Sequence, residues 1–117
     1  SVWRPDIGRC GGLLVGRKVS TTAEAHGIAV APVLGGGPIL GAANVQLALA
    51  TPNLAFVEGI REWGGIHADL LVSPIECRDG RISAPSTPGL GVDIDSEVLV
   101  ANTVAMSGGT PLPPPPG

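Results

Sequence analysis

Short apolar runs alternate with helix-length stretches along the first half of this chain. Ser1 to Asp6 reads as a short extended segment: Pro5 biases Arg4 toward β or polyproline geometry, and the segment ends on a carboxylate. Gly11-Gly12 marks a turn. Between Leu14 and His26, apolar or small residues recur at Val15, Val19, Thr22/Ala23 and His26, the near three-to-four spacing of a helix, with Gly27 placed as its C-terminal cap. Ile28-Ala29-Val30-Ala31 is a continuous apolar run closed by Pro32, the pattern of a strand buried on both faces. After the loop Gly35-Gly36-Gly37-Pro38, Ile39 to Ala50 is apolar except at Asn44 and Gln46, which predicts a largely buried helix ended by Thr51-Pro52-Asn53. Leu54-Ala55-Phe56-Val57 is a further short run, and it ends on Glu58.

Strand, helix, strand, helix, strand in this order implies an α/β fold with parallel strands joined by crossovers. The pattern changes after Glu58. Trp63-Gly64-Gly65 is loop-like, and Leu70-Leu71-Val72 and Arg81-Ile82 read as short extended pieces around the turn Arg78-Asp79-Gly80. Val92 and Ile94 alternate with acids as on a strand edge, and Ser96 to Val104 reads as a terminal helix with Ser96 as N-cap. The expected organisation is therefore residues 1–60 as strand–helix units, 61–106 as a C-terminal return segment, and 107–117 as a disordered proline-rich tail.

Composition narrows the function classes. Gly and Pro supply 18 and 12 residues of 117, yet hydrophobic residues are 44% and charged residues only 15%, the reverse of a disordered chain. Such low charge does not cover the surface of a free-standing domain. Net charge is −3 and no basic run exceeds Arg17-Lys18, so the electrostatic driver for nucleic-acid binding is missing. No apolar stretch reaches the length of a membrane span. Cys10 and Cys77 form no close metal-ligand pair, and a chain with two cysteines fits a reduced, cytoplasmic setting better than a disulfide scaffold.

In parallel α/β proteins, reactive groups gather at the carboxyl ends of strands. Two of the three predicted strands end on acids, Asp6 and Glu58, while the middle one ends at Pro32-Val33. The plain alternative for each acid is a solvated loop residue or a helix cap. Gly11-x-x-x-x-Gly16 has the spacing of a phosphate loop, but Arg17 stands where that motif needs lysine. Gly35-Gly36-Gly37 could let backbone approach an anion, with a tight turn as the competing use. His26 reads as a helix-end residue and His67 as a loop residue.

Asp6-Ile7-Gly8-Arg9-Cys10-Gly11-Gly12 resembles the Asp-x-x-x-x-Gly-Gly stretch on the sixth barrel strand of the mandelate racemase group of the enolase superfamily. Ala23-Glu24-Ala25-His26-Gly27-Ile28-Ala29-Val30-Ala31-Pro32 resembles the next helix and strand, and Pro52-Asn53 with Glu58 the entry to the eighth. Asp79-Gly80-Arg81-Ile82 and Pro88-Gly89-Leu90-Gly91-Val92 resemble late signatures of that group, so the ordered likeness covers about residues 2–100. It implies the C-terminal portion of a modified TIM barrel, about three β/α units, followed by a return segment. It also implies proton abstraction α to a carboxylate, with magnesium stabilising the enediolate.

Carried over by position, Asp6 becomes the acid of a His-Asp dyad and Glu58 an acid near the substrate carboxylate, donating a hydrogen bond if neutral. Val33 and Gly35 fall in the substrate pocket. The dyad histidine is expected directly after Pro32, where this chain has Val33. The family's carboxylate metal ligands and lysine base sit on earlier strands, before residue 1. The resemblance thus implies a fragment of a magnesium-dependent lyase or isomerase, an acid-sugar dehydratase or cycloisomerase, inactive alone and homo-oligomeric as a whole protein. Its substrate would be a small carboxylate, with no nucleic-acid or membrane partner. A one-base lyase that needs no dyad, and a truncated non-catalytic homologue with a binding or structural role, are the other readings.

Overall fold

The computed structural model describes residues 1–58 and 64–103. Strand β1 (Val2–Trp3) pairs in parallel with β2 (Ala29–Val30), Val2 opposite Ala29 and Trp3 opposite Val30. Their ladder continues past both strands. The amides of Ala29, Ala31 and Val33 donate to the carbonyls of Ser1, Trp3 and Pro5 at 3.3, 2.9 and 3.0 Å. On its other side Val30 forms a parallel bridge to Leu54, accepting from Ala55 at 2.8 Å and donating to Asn53 at 2.9 Å. The result is the predicted parallel arrangement, with Val30 and Ala31 fully buried in the middle.

The regular strands are shorter than the apolar runs predict. Pro5 and Pro32 have no N–H, so the strand ends cannot return the ladder bonds they receive. The third run is reduced to the single bridge at Leu54.

Between the strands lie two long helices, α2 (Gly12–Ala25) and α3 (Pro38–Leu49). A short helix α1 (Ile7–Cys10), not foreseen from the pattern, precedes α2. Gly11, at φ 112°, ends α1 and opens α2, a left-handed conformation that favours glycine. The phosphate-loop spacing dissolves here, because Gly16 lies inside α2, packed on Ile7 and Leu47. Helix α3 starts with Pro38 in its first turn and buries residues on all sides, from Gly41 to Ala48, as its apolar composition predicts. Ile7, Ala43 and Leu47 form a buried cluster, with Leu40 and Leu90 against it.

Asn44, fully buried in α3, donates to the carbonyls of Leu40 (3.2 Å) and Val33 (3.3 Å), which ties the helix to the end of β2. Asn53 donates to the Ile28 carbonyl at 2.7 Å and the Ser20 carbonyl at 3.4 Å, joining the third strand to α2 and β2.

The return segment begins with helix α4 (Ile66–Asp69), which takes in His67 where a loop was expected. Leu71 bridges Ile94 antiparallel, and the hairpin β3 (Cys77–Arg78)–β4 (Arg81–Ile82) turns through Asp79 and Gly80 as predicted, both at positive φ. Helix α5 (Ser96–Ala101) is capped by Asp95, not Ser96. The Asp95 carboxylate accepts from the amides of Glu97 and Val98 at 3.0 and 3.1 Å, which a carboxylate does better than a hydroxyl one residue later. Trp63 and the predicted tail lie outside the described residues.

Candidate functional site

Following the parallel strands to their carboxyl ends brings the predicted residues together on one side. Asp6 follows Pro5, whose carbonyl holds the Val33 amide at 3.0 Å. Val33 therefore lies alongside the Pro5-Asp6 segment. Glu58 lies four residues past the Leu54 bridge and is joined to Arg4, the residue after β1, by an ion pair from Arg4 Nη2 to Glu58 Oε1. Asp6 and Glu58 are both half-buried, their side chains 24% and 27% exposed. Strand alternation puts Arg4 and Asp6 on one face, and Ala29, Ala31 and Val33 on the matching face of the middle strand. With only methyl groups at 29 and 31, the Arg4 side chain can span the middle strand.

Each acid is already engaged. Asp6 is the N-cap of α1: Oδ1 accepts from the Gly8 amide at 2.9 Å, and Oδ2 lies 3.5 Å from Arg9 Nε. The plain alternative of a helix cap is thus realised at Asp6. Arg4 makes Glu58 Oε1 an acceptor, so in this state that oxygen does not donate to a carboxylate. Arg4 escaped the sequence reading. Its only signal was a cation two residues before Asp6, with no motif attached. Gly35 is exposed, and a Cβ there would meet nothing within 4 Å, so packing does not demand glycine at that position.

Two cavities lie elsewhere. One of about 510 Å³ opens between α3 and the return segment, beside Ala42, Ser83, Pro85 and Thr87. Another of about 440 Å³ runs between α3, the third strand and the β3–β4 hairpin, beside Leu49, Phe56 and Ile82. Neither is lined by Asp6, Val33, Gly35 or Glu58. His26 ends α2 with Nδ1 2.8 Å from the Thr22 carbonyl, which places it in helix capping.

Magnesium needs several oxygen ligands about one point. Among the described residues no three His, Cys, Asp or Glu side chains group closely enough to hold a metal. Asp6 Oδ1 is taken by the Gly8 amide and Glu58 Oε1 by Arg4. The described residues do not fit a magnesium site.

Parallel strands joined by helices, with a return segment packed against them, place the chain among α/β folds. Residues 1–98 match the family described as enolase C-terminal domain-like, and the chain belongs to that family. It is 33% identical over 106 residues to a D-galactarolactone cycloisomerase of Agrobacterium fabrum, covering 84% of this chain and 28% of that protein. It is 37% identical over 105 residues to a D-galactonate dehydratase of Xanthomonas euvesicatoria, covering 82% of this chain and 27% of that protein. Among solved structures, a mandelate racemase/muconate lactonizing enzyme from Jannaschia sp. CCS1 superposes with a TM-score of 0.82 at 35% identity, covering 90% of this chain and 27% of that one. The chain spans under a third of the length of these relatives. Among the described residues no helix is long and apolar enough to cross a membrane.

Proposed function

We propose that this chain forms one wall of the active site of an acid-sugar lyase or cycloisomerase, as the last strands of a (β/α) barrel whose other strands come from further chain. In this reading residues 1–60 supply three strand–helix units and 61–106 the return segment. The observation that carries it is the parallel strand order, which sets the Pro5-Asp6 segment beside Val33 and links Glu58 to the first strand's segment through Arg4. Support comes from relatives named as a galactonate dehydratase, a gluconate dehydratase and a galactarolactone cycloisomerase.

Dehydration of an aldonate removes the C2 proton and expels the C3 hydroxyl as water, and the resulting enol becomes a 2-keto acid. Val33 offers no proton acceptor, so the base acts from the opposite face and belongs to another segment. That favours elimination by one base over racemisation, which needs a base on each face. Asp6 caps α1 at the strand end, and Glu58 faces the substrate. Magnesium, where the whole enzyme binds it, supplies charge stabilisation from ligands on other strands.

The test is 2-keto acid formation from a panel of aldonates and aldarates, run on the protein that carries this chain and on the 117-residue chain alone. The longer protein should convert at least one acid sugar while the isolated chain converts none. Turnover of muconate but of no acid sugar, or turnover by the isolated chain, would overturn the proposal.

A further inference from the structure

The cavity of about 440 Å³ between α3, the third strand and the β3–β4 hairpin takes no lining from Asp6 or Glu58. Its size is that of a small-molecule pocket. Leu49, Leu54, Phe56, Val57 and Ile82 give it apolar walls. Two of these are open to water despite their size: Leu49 is 55% exposed and Phe56 52%. Large apolar residues left bare about one cavity mark a surface that gains by being covered. Among the described residues, Arg81 is the one charged residue on the lining. It is exposed and forms no ion pair with a described residue. Directly opposite it in the hairpin stands Arg78, a like charge, and such a pair costs stability. Arg78 is compensated by Glu76, with Nη2 2.7 Å from Oε2, so the uncompensated cation of the hairpin is Arg81.

An occupant that suits both parts of the cavity has an apolar body and one anionic end. The body covers the bare walls, and the anion accepts from the guanidinium and offsets its repulsion with Arg78. A polyhydroxy acid fits poorly, because its hydroxyls would lose water against Leu49 and Phe56 and find no polar partner there. A cationic amphiphile is repelled by Arg81. We propose that this cavity binds an aliphatic monocarboxylate of medium chain length, its hydrocarbon chain between Leu49, Phe56 and Ile82 and its carboxylate on Arg81. The site is separate from the strand-end chemistry and does not depend on the acid-sugar reading.

Isothermal titration of the 117-residue chain with hexanoate, octanoate, octanol and octylammonium tests this. Octanoate should bind about tenfold more tightly than hexanoate, the gain from burying two further methylenes. Octanol should bind about tenfold more weakly than octanoate, and octylammonium more weakly still. Arg81→Gln should weaken octanoate about tenfold, the loss of a hydrogen bond between charged groups, and leave octanol unchanged. Phe56→Ser should weaken octanoate and octanol alike. An unchanged far-ultraviolet circular dichroism spectrum shows that each variant stays folded, and the ligand series on the parent chain needs no variant. No octanoate binding, equal affinity for hexanoate and octanoate, or octylammonium bound as well as octanoate overturns the site, as does an Arg81→Gln chain that binds octanoate like the parent. The longer protein should bind octanoate as this chain does. Failure there would give the cavity to further chain of the same protein. Affinity that falls as the chain is concentrated would give it to a second copy. Either result overturns the ligand site.

Discussion

Replacing Gly16 by alanine tests the contact that holds the Asp6 end of the site in place. In an open helix the change stabilises by about 1 kcal/mol, because alanine loses less backbone freedom. Gly16 is not in an open helix. A Cβ there would lie 2.6 Å from Cγ2 of Ile7 and 3.0 Å from Cδ2 of Leu47. Leu47 can move its methyl by a small torsion. Ile7 cannot: Cγ2 hangs directly on a β-branched carbon, so relief means leaving a χ1 well, at roughly 0.5–1.5 kcal/mol. Ile7 is also 3% exposed and packed with Ala43 and Leu47, so its neighbours must shift too, and overpacking of this kind costs about 1–3 kcal/mol. Against the helix gain, the net expectation is destabilisation of about 1 kcal/mol. That is a fall in Tm of about 5 °C for a domain of this size.

Urea unfolding followed by far-ultraviolet circular dichroism reads this directly. The strain should also be specific to Cγ2. In an Ile7→Leu background, where that methyl is absent, Gly16→Ala should cost less, and the difference measures the coupling. A midpoint that rises in the parent background, or an equal cost in both backgrounds, would show that Ile7 Cγ2 is not the obstacle at position 16.

Val33→His places an imidazole beside Asp6, yet Asp6 is already held by the Gly8 amide and Arg9. In the longer protein, acid-sugar turnover should therefore stay within a fewfold of the parent. A gain approaching the hundredfold of a working general base, read as kcat, would show a dyad waiting for its histidine. Asn53→Ala removes bonds to Ile28 and Ser20 and should destabilise by about 1–3 kcal/mol in the same urea assay, since two carbonyls lose a donor. A variant as stable as the parent would show that water replaces those bonds without penalty. Asp95→Ala removes the cap of α5 and should cost about 1 kcal/mol, whereas Ser96→Ala should change little. The reverse ranking would return the cap to Ser96.

The helices were legible because their causes are local. The Val15–Val19–Ala23 spacing marked α2, and the nearly unbroken apolar run from Ile39 marked α3 as buried, each within a residue or two of its observed end. The turn at Asp79-Gly80 was equally local, since both residues tolerate positive φ. The strands were found but overextended. Apolar runs such as Leu54–Val57 report burial, whereas regular pairing depends on which backbone N–H groups exist and what lies alongside. Helix α1 was missed because Asp6 looked like a strand end. The capping bond to Gly8 belongs to a one-turn helix that ends at Gly11, five residues after Asp6.

At the site, the placement of Asp6, Val33 and Glu58 at one end of the sheet followed from strand order. The partners of the two acids did not. Arg4 and Glu58 are 54 positions apart and meet only through the tertiary fold. No spacing rule reports a contact of that range.

The proposed function turns on Glu58 facing an acid-sugar substrate at the strand ends. Glu58→Gln, assayed for kcat/KM with galactonate or whichever acid sugar the longer protein converts, tests it most directly. A loss of about tenfold or more with an unchanged unfolding midpoint is expected, since a charged hydrogen bond to substrate is lost and the core is untouched. Unchanged kcat/KM in a fully folded Glu58→Gln variant would contradict it.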